Sequence, residues 1–209
     1  MNRIDLIVSL TKGYDTVLDI GTDHGLVLKK ALDLGYIKKG IASDINKEPL
    51  NQAKENLSSY PVSFYLSDGF KNIDVPYDLA VITGMGPNLI SNILKEAKLD
   101  VDYILGANDK VYILRKWLLE NNFNIIEETV SFDRFFYIFI RVRKGKMNLT
   151  ESEIYTGKYL YKSPLAKKYY EHKLKHYNSL LNIKNQNRQK ELKLIKSYFE
   201  NILKSPYFK

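Results

Sequence analysis

The sequence predicts an α/β domain followed by a C-terminal α-helical hairpin. Within the first 140 residues, short apolar runs alternate with helix-like patterns, which is typical of a parallel sheet covered by helices. After residue 163 no strand-like run occurs, and apolar residues recur at spacings of three and four instead. The chain has 209 residues, of which 44% are hydrophobic and 27% charged, so we expect a folded core rather than a disordered or fibrous chain.

Seven strand-like runs can be placed in chain order. They cover residues 16–20, 40–43, 62–66, 79–82, 101–105, 123–130 and 135–142. Helix-like patterns lie over residues 25–32, 48–57, 87–94 and 110–121. No helix separates the last two runs, so we expect them to form an antiparallel pair. Seven strands with this ending are typical of a Rossmann-like class I methyltransferase sheet more than of a dehydrogenase sheet.

A change of pattern predicts a domain over residues 1–144 and a linker with two basic helices over 145–209. Residues 144–163 are polar and weakly periodic, and Ser163-Pro164 looks like a helix cap followed by proline at the first helical position. Apolar residues then recur at helical spacing in two runs: Tyr170, Leu174, Tyr177 and Leu181, followed by Leu192, Ile195, Phe199 and Ile202. Asparagines between the runs favour a turn, so we expect an antiparallel coiled-coil hairpin.

Positive charge is concentrated in the C-terminal third of the chain. Residues 1–140 carry 15 Lys and Arg against 19 Asp and Glu, whereas residues 141–209 carry 17 against 5. A basic segment on a mildly acidic body indicates a nucleic-acid partner. The alternatives are a compositional bias toward Lys and plain solvation of the helix faces. The candidates for phosphate contacts are Lys167, Lys168, Lys173 and Lys175, which fall within little more than two helical turns.

The composition argues against several classes of protein. Without Cys there is no disulfide framework, thiolate metal site or cysteine nucleophile. The longest uncharged stretch, residues 79–94, contains Gly, Pro and Asn and does not predict a membrane span. No secretion signal opens the chain, so we expect a cytoplasmic protein without membrane contact. His172 and His176 have the i, i+4 spacing of metal ligands but no supporting Cys or carboxylate cluster, so we predict no metal site.

The first strand runs into the loop Asp19-Ile20-Gly21-Thr22-Asp23-His24-Gly25, where an open α/β sheet binds nucleotide-like ligands. Gly21 and Gly25 allow the backbone to approach a ligand closely. The full G-x-G-x-x-G fingerprint is missing, and the Asp23 carboxylate would repel a pyrophosphate. It suits a cationic ligand such as S-adenosylmethionine, whose amino acid part carries an ammonium and a sulfonium. The alternative is a turn without a ligand.

Three further strand ends lie at the same predicted edge. Asp44 ends the second strand, where a carboxylate can accept hydrogen bonds from both ribose hydroxyls of an adenosyl ligand, although it could equally cap the next helix. Asp68, just before Gly69, is placed to accept from the exocyclic amine of adenine. The fourth strand enters Gly84-Met85-Gly86, which leaves an open floor at the position facing the methyl donor.

Several of these segments together resemble the bacterial TrmK family. They are Asp19 to His24, Gly84-Met85-Gly86 with Leu89-Ile90, Asn108 with Leu114-Arg115-Lys116-Trp117-Leu118, and Pro164-Leu165-Ala166-Lys167. The resemblance implies methylation of N1 of adenine 22 in tRNA by S-adenosylmethionine, with a Rossmann-like domain and a coiled-coil hairpin. The chain departs from the family at Gly25 to Leu28, where Ala-Tyr-Leu-Pro is usual, at Gly106-Ala107, where Gln-Pro is common, and at Pro87, where a further Gly is usual.

These arguments yield a set of predicted site residues. The predicted cofactor site comprises Asp19, Gly21, Thr22, Asp23, His24, Asp44, Ile45, Asp68, Gly69, Gly84, Met85 and Gly86. Asp23 is the catalytic candidate, through a contact with the methionine amine or the target's exocyclic amine. The predicted tRNA contacts are Asn108, Arg115 and the four lysines. Two alternatives stay open: a class I methyltransferase of another substrate, and a non-catalytic RNA-binding protein with a degenerate methylase fold. A monomer is favoured.

Overall fold

The computed structural model describes residues 2–182 and 185–208. Its strands are β1 (Thr16–Ile20), β2 (Lys39–Asp44), β3 (Val62–Leu66), β4 (Leu79–Met85), β5 (Asp102–Ala107), β6 (Phe123–Phe132) and β7 (Phe136–Lys144). Its α-helices are α1 (Arg3–Leu10), α2 (Leu26–Asp33), α3 (Lys47–Asn56), α4 (Pro87–Ile93), α5 (Val111–Glu120), α6 (Glu151–Thr156), α7 (Ala166–Leu180) and α8 (Gln186–Lys204). Short 3-10 helices cover Leu94–Glu96, Leu160–Lys162 and Pro206–Phe208.

The strands form one seven-stranded sheet in the order β3-β2-β1-β4-β5-β7-β6. The first five strands are parallel, and β7 pairs antiparallel with both β5 and β6. This arrangement confirms the predicted fold class. Because β7 lies between β5 and β6, β6 is an edge strand whose sheet partner is β7. The parallel strands place their carboxyl ends at one edge, where a doubly wound sheet carries its ligand site.

Helices cover both faces of the sheet. On one face, residues of α1 and α2 pack with inward side chains of the sheet in a hydrophobic cluster that includes Ile7, Leu28 and Val81. On the other face, α4, α5 and the α7–α8 hairpin pack in a second cluster. Tyr170 and Phe199 of the hairpin belong to this same cluster as the sheet residues. The hairpin therefore shares its hydrophobic core with the α/β domain.

The α7–α8 hairpin buries five of the eight apolar positions that the sequence predicts to face inward, and Leu174, Leu181 and Ile202 are half-buried. Tyr170, Tyr177, Leu192, Ile195 and Phe199 are all buried. The rings of Tyr177 and Phe199 stack across the two helices with centroids 5.4 Å apart. A supercoiled, coiled-coil geometry of this hairpin stays a prediction.

Two helices were not predicted from the sequence. α1 precedes β1, and the side-chain oxygen of Asn2 accepts the Asp5 N–H at 2.8 Å to cap its first turn. α6 lies in the segment that the sequence predicts to be irregular, and Thr150 and Glu153 form a capping box at its start. α1 has 8 residues and α6 has 6, and neither lies between two strand-like runs, the context in which the equally short α2 and α4 were predicted.

The hairpin also begins later than predicted, because α7 starts at Ala166 rather than at Pro164. Ser163 does not cap the helix. Its hydroxyl accepts the Val130 N–H at 3.1 Å and lies 3.2 Å from the Thr129 hydroxyl. These contacts tie the segment before α7 to β6, a tertiary arrangement that the local sequence does not reveal. In the part of the chain that the structure describes, no helix is long and apolar enough to cross a membrane.

Candidate active site

The loop between β1 and α2 folds tightly over the end of β2. The backbone N–H groups of Gly21 and Thr22 both donate to the Ser43 carbonyl, at 2.8 and 3.0 Å. Gly21, Asp23 and Gly25 have positive φ angles of 74°, 51° and 71°. Three left-handed residues within five turn the chain sharply enough to leave the carboxyl ends of β1 and β2 open. Of the three, only Asp23 has a side chain.

Gly21 combines a positive φ angle, which favours glycine, with a close approach to Met85. A Cβ atom built on Gly21 would lie 2.5 Å from the Met85 Cε atom, well inside contact distance. The Met85 side chain at the end of β4 thus lies against the Gly21 backbone, so the first loop and the end of β4 are in direct contact. A larger residue at position 21 would be strained by the positive φ and would require the Met85 methyl group to shift.

Asp19 and Asp44 end two neighbouring strands and are buried, with 4% and 8% exposure. Asp19 Oδ2 accepts the Thr22 hydroxyl at 2.9 Å, and Asp44 Oδ1 accepts the Asn46 N–H at 2.9 Å. The pKa of Asp19 is raised to about 6, chiefly by burial, with the Thr22 hydrogen bond opposing the shift and the charges of Asp44 and Asp23 adding to it. Negative charge is therefore crowded at this edge, which favours a cationic ligand.

Asp23 and His24 lie at the mouth of the same site. The side chain of Asp23 is 72% exposed and that of His24 is 50% exposed, with His24 Nε2 3.6 Å from Asp23 Oδ1. A non-glycine residue with a left-handed backbone at a ligand cleft is a common sign of a functional constraint. Asp23 thus combines an unfavourable backbone conformation with a carboxylate that is free to reach a ligand.

These residues line a cleft of about 390 Å³, which we call the acidic cleft. Its lining contains Asp19, Asp23 and Asp44 together with Thr83, Gly84 and Met85. Arg3, Ile4 and Ile7 of α1 close one side of it. This contribution was not predicted from the sequence, in which the cap residue Asn2 before a short apolar pattern is the signal for it.

Most of the predicted cofactor residues come together in the acidic cleft. Asp19, Gly21, Thr22, Asp23, His24, Asp44, Gly84 and Met85 all line it. Ile45, Asp68, Gly69 and Gly86 also follow strand ends at this edge but are not part of the lining. Asp68 is about half exposed and forms a salt bridge with Lys71, and Ile45 is 62% exposed.

A second and larger cleft, of about 500 Å³, lies between the carboxyl end of β5, the β6–β7 turn and the α7–α8 hairpin. We call it the aromatic–basic cleft. One acidic residue, Asp109, lies in its lining. The basic residues and histidines of the lining are Lys110, Arg115, Arg134, His172, Lys173, His176 and Arg188. Aromatic side chains from α5, β6, β7, α6, α7, α8 and the β6–β7 turn also line it, together with several aliphatic residues. Cationic groups interleaved with aromatic rings are typical of a surface that binds single-stranded nucleic acid.

Asn108 connects the two clefts. It lines the aromatic–basic cleft, and its side-chain amide donates to the Gly84 carbonyl, which belongs to the acidic cleft, at 2.8 Å. Its backbone N–H donates to the Met85 carbonyl at 3.0 Å. A ligand in one cleft and a ligand in the other would therefore meet beside the Gly84-Met85 segment.

Arg115 does not lie where a contact with tRNA requires it. It is fully buried, and its Nε donates to Glu128 Oε1 at 2.7 Å. Its Nη1 donates to the carbonyls of Ile154 and Tyr155 at 3.1 and 3.2 Å. The guanidinium thus joins α5 to β6 and α6, and the predicted substrate contact is replaced by a structural role. The sequence could not distinguish these roles, because Arg115 lies within an otherwise ordinary helical pattern.

The four predicted lysines of α7 do not share one environment. Lys167, Lys168 and Lys175 are exposed, whereas Lys173 is half-buried and lines the aromatic–basic cleft. Burial lowers the pKa of Lys173, as does the charge of Arg115, and Asp109 partly opposes this shift. Because successive helical residues are 100° apart, Lys173 lies on a different side of α7 from the other three.

His172 and His176 both line the aromatic–basic cleft. The His172 ring lies 5.2 Å from the Phe136 ring, and burial and the charges of Lys173 and His172 lower the pKa of His176. Within residues 2–182 and 185–208, no group of three or more His, Cys, Asp or Glu side chains is arranged to hold a metal ion.

The strand order, the glycine turn after β1 and the acidic edge beside it define a class I methyltransferase. The profile of the TrmK family, tRNA (adenine(22)-N(1))-methyltransferase, matches residues 17–204. The chain belongs to this family. The resemblance noted from the sequence motifs is thereby confirmed, together with the enzyme class that it implies.

Individual relatives agree with this assignment. A Mycoplasma pneumoniae protein provisionally named a tRNA methyltransferase is 30% identical over 176 residues, which span 78% of this chain and 83% of the relative. Sp1610 of Streptococcus pneumoniae, solved in complex with S-adenosyl-L-methionine, is 25% identical with a TM-score of 0.85, covering 96% of this chain and 98% of that one. TrmK of M. capricolum, solved with S-adenosyl-homocysteine, is 25% identical with a TM-score of 0.81, covering 96% of each chain.

Proposed function

We propose that the acidic cleft of this chain binds S-adenosylmethionine and that the aromatic–basic cleft receives the tRNA whose adenine 22 is methylated at N1. The observation that carries the proposal is the junction at Asn108, where a cleft rich in carboxylates meets a cleft rich in cations and rings. A small cationic cofactor and a polyanionic substrate require these opposite environments, and methyl transfer requires them to be in contact.

The residues of the acidic cleft fit this cofactor. Asp44 is placed to accept hydrogen bonds from ribose hydroxyls, with one of its oxygens already accepting the Asn46 N–H. Asp19 and Asp23 are the carboxylates available to the cofactor ammonium. The exposed Ile45 side chain and Asp68, which lie just beyond the lining, are our candidates for the apolar face and the exocyclic amine of the adenine.

When bound, S-adenosylmethionine supplies an electrophilic methyl group on a sulfonium. N1 of adenine carries its own lone pair, so no base has to remove a proton before attack. The bound cofactor would supply the methyl group to N1 and would leave as a neutral thioether whose sulfur keeps the S–C bonding pair. The work left to the protein is alignment of the two reactants, which supplies a large part of the rate enhancement in such reactions.

Asp23 is our candidate for the residue that contacts the reacting groups. Methylation leaves a positive charge on the adenine ring and makes the exocyclic amine more acidic. A carboxylate beside that amine would stabilise the charge, and Asp23 is exposed at the cleft mouth. Because N1 lies on the base-pairing edge, the adenine has to leave its stack to reach this position.

We further propose that residues 145–209 supply the basic part of the tRNA surface, while residues 1–144 supply the cofactor site. The exposed Lys167, Lys168 and Lys175 are its candidate phosphate contacts, with Lys173 inside the cleft. The protein acts as a monomer in the cytoplasm, where tRNA is modified.

The test is methylation of a tRNA transcript by the purified protein with labelled S-adenosylmethionine. We expect one methyl group per tRNA, located at adenine 22, and none on a matched transcript in which guanine replaces this adenine. Binding of tRNA without any binding of the cofactor would instead support a non-catalytic RNA-binding protein. Transfer to a protein but not to tRNA would support a class I methyltransferase of another substrate.

A further inference from the structure

Two phenylalanine rings are exposed at the turn between β6 and β7. Phe132 is 51% exposed and Phe135 is 63% exposed, with Arg134 exposed between them. Aromatic residues of this size are normally covered in a soluble domain, and exposed rings on a turn indicate a binding surface. Both rings line the aromatic–basic cleft.

The register of the sheet places this turn beside the candidate active site. Leu105 of β5 pairs with Ile140 of β7, and β5 ends two residues later at Ala107. The β6–β7 pair continues beyond this level to the pair formed by Phe132 and Phe136. The turn therefore extends past the carboxyl edge of the sheet, the edge at which Asn108 follows β5.

The turn is held in place by an aromatic chain that reaches α7. The Phe132 ring lies 4.8 Å from the Phe136 ring, and Phe136 contacts Tyr169 at 5.7 Å and His172 at 5.2 Å between ring centroids. Packing of this kind fixes the orientation of Phe132 against the hairpin. Phe135 is the more exposed ring, so its face is available to a partner.

Basic side chains accompany the two rings in the cleft, as binding of a polyanionic RNA requires. Arg134 lies between the rings, and His172 and Lys173 line the same cleft. The acidic residue of the turn, Asp133, lines a separate depression formed with Asn2, Arg3 and Asp5 on the other side. Rings flanked by cations on the cleft side match the way in which proteins hold unpaired bases, by stacking with a nearby positive charge.

We propose that Phe135, supported by Phe132 and Arg134, is a stacking platform for an RNA base adjacent to the target adenine. The inference rests on the proposed function, because a base that leaves its stack deprives its neighbours of a stacking partner. The platform replaces that partner and keeps the strand open while the adenine is in the active site. Stacking on a ring does not select among bases, so the platform positions the RNA and contributes little to sequence choice.

The test compares three substitutions at one position. Phe135→Ala removes the ring, Phe135→Leu keeps an apolar side chain without an aromatic face, and Phe135→Tyr keeps the face. We expect Ala and Leu to raise the Kd for tRNA about tenfold, within the range for one base–aromatic stack, and Tyr to restore it. The Kd for S-adenosylmethionine and the melting temperature should not change. Leu99→Ala is the matched control, since Leu99 is 70% exposed but precedes β5, at the opposite edge of the sheet.

A spectroscopic measurement locates the contact. 2-Aminopurine, whose fluorescence is quenched by stacking, is placed on one side or the other of adenine 22 in two transcripts. Binding of the unsubstituted protein should quench at least one of them, and Phe135→Ala should abolish that quenching. Equal quenching with both proteins, or equal tRNA affinity of all Phe135 variants, would overturn the proposal.

The outcomes separate this inference from the proposed function. If the unsubstituted protein does not methylate tRNA, the proposed function fails. If it does, and the Phe135 variants behave like it, only the platform fails. Light scattering provides a further check, because a dimer that Phe135→Ala converts to a monomer would make this turn a self-association surface and contradict the platform.

Discussion

The acidic cleft and the aromatic–basic cleft lie at the same edge of the sheet but are built in different ways. The acidic cleft depends on backbone turns, with left-handed residues at positions 21, 23 and 25 and strand-end carboxylates of adjacent strands. The aromatic–basic cleft is assembled from side chains of distant segments, from α5 through α8. The former is encoded locally and the latter by tertiary packing, so substitutions should affect them through different mechanisms.

The largest effect is expected at the ion pair that holds the second cleft together. Arg115 and Glu128 are both buried, and Arg115→Ala would leave the Glu128 carboxylate without its cation. Breaking a buried pair by removing one partner costs about 3–5 kcal/mol of unfolding free energy. We expect this loss in chemical denaturation, together with weaker tRNA binding.

The matched control is an exposed pair. Lys38 and Asp15 form a salt bridge with side chains that are 75% and 64% exposed, and Lys38→Ala should change the stability by no more than about 1 kcal/mol. Replacing both buried partners, as Arg115→Met with Glu128→Leu, should recover much of the loss. Equal stability of Arg115→Ala and Lys38→Ala would show that the joint between α5, β6 and α6 is unimportant.

A smaller effect is expected in the acidic cleft. Asp44→Ala removes a buried carboxylate that we assign to ribose hydroxyls, and hydrogen bonds to a charged group contribute about 1.5–3 kcal/mol. Calorimetry should show a correspondingly weaker Kd for S-adenosylmethionine with a normal Kd for tRNA. Asp68→Ala is the comparison, because Asp68 is exposed and paired with Lys71, so its loss should be smaller. An equal or larger loss at Asp68 would reverse the two assignments.

A substitution of Asp23, whose backbone is left-handed, tests whether its carboxylate acts in turnover. Asp23→Asn keeps a residue that tolerates positive φ and removes the charge. We expect the single-turnover rate to fall about tenfold or more, in line with a lost charged hydrogen bond, while the melting temperature stays the same. A lower melting temperature with a normal rate would make Asp23 a structural residue of the turn.

The salt dependence of tRNA affinity tests the role of the α7 lysines. If Lys167, Lys168 and Lys175 neutralise phosphates, the triple change to Gln should reduce the slope of log affinity against log salt by about three. Lys173→Gln is measured separately, because Lys173 is half-buried in the lining of the aromatic–basic cleft. It should weaken tRNA binding without disrupting the cleft. Filter binding at several salt concentrations is the measurement. An unchanged slope in the triple variant would assign these lysines to solvation of the helix.

The pH dependence of stability provides a further test of the acidic cleft and concerns Asp19. Its pKa is raised from 3.8 to about 6 in the folded protein, so the folded state binds the proton more tightly than the unfolded state does. The stability contributed by this group therefore decreases as the pH rises from 3.8 to about 6, and the full loss is present above that range. Asp19→Asn should melt at a higher temperature than the parent at neutral pH and show a flatter pH profile. Parallel profiles would contradict a raised pKa.

The fold could be predicted from the sequence because its signals are local. Each strand of the sheet is an apolar run next to a turn, and the absence of a helix between β6 and β7 specified their antiparallel pairing. The short helices α1 and α6 were not predicted because they precede the first strand and follow the last one, outside the strand–helix alternation that marked the equally short α2 and α4. The late start of α7 depends on Ser163 bonding to β6, which is a contact distant in sequence.

The strand-end part of the candidate site could likewise be predicted from local signals, whereas the part formed by tertiary packing could not. Acidic residues at strand ends such as Asp19 and Asp44 could be placed at one edge from the parallel topology alone. Arg115 and Lys173 could not be assigned, since the helical pattern does not say which neighbours enclose a long side chain. The β6–β7 platform was also missed, because Phe132 and Phe135 read as ordinary hydrophobic residues until their exposure is known.

The insertion of β7 between β5 and β6 has a consequence for synthesis on the ribosome. β6 emerges first, yet its sheet partner is β7, so both edges of β6 stay unpaired until the later strand has been translated. At usual rates of elongation this interval lasts roughly a second, during which the nascent chain exposes a strand able to pair with another chain. The parallel strands β1 to β4 pair only with one another and with β5, so their part of the sheet requires neither β6 nor β7. The nascent protein can therefore form the half that we assign to the cofactor before the half that we assign to RNA.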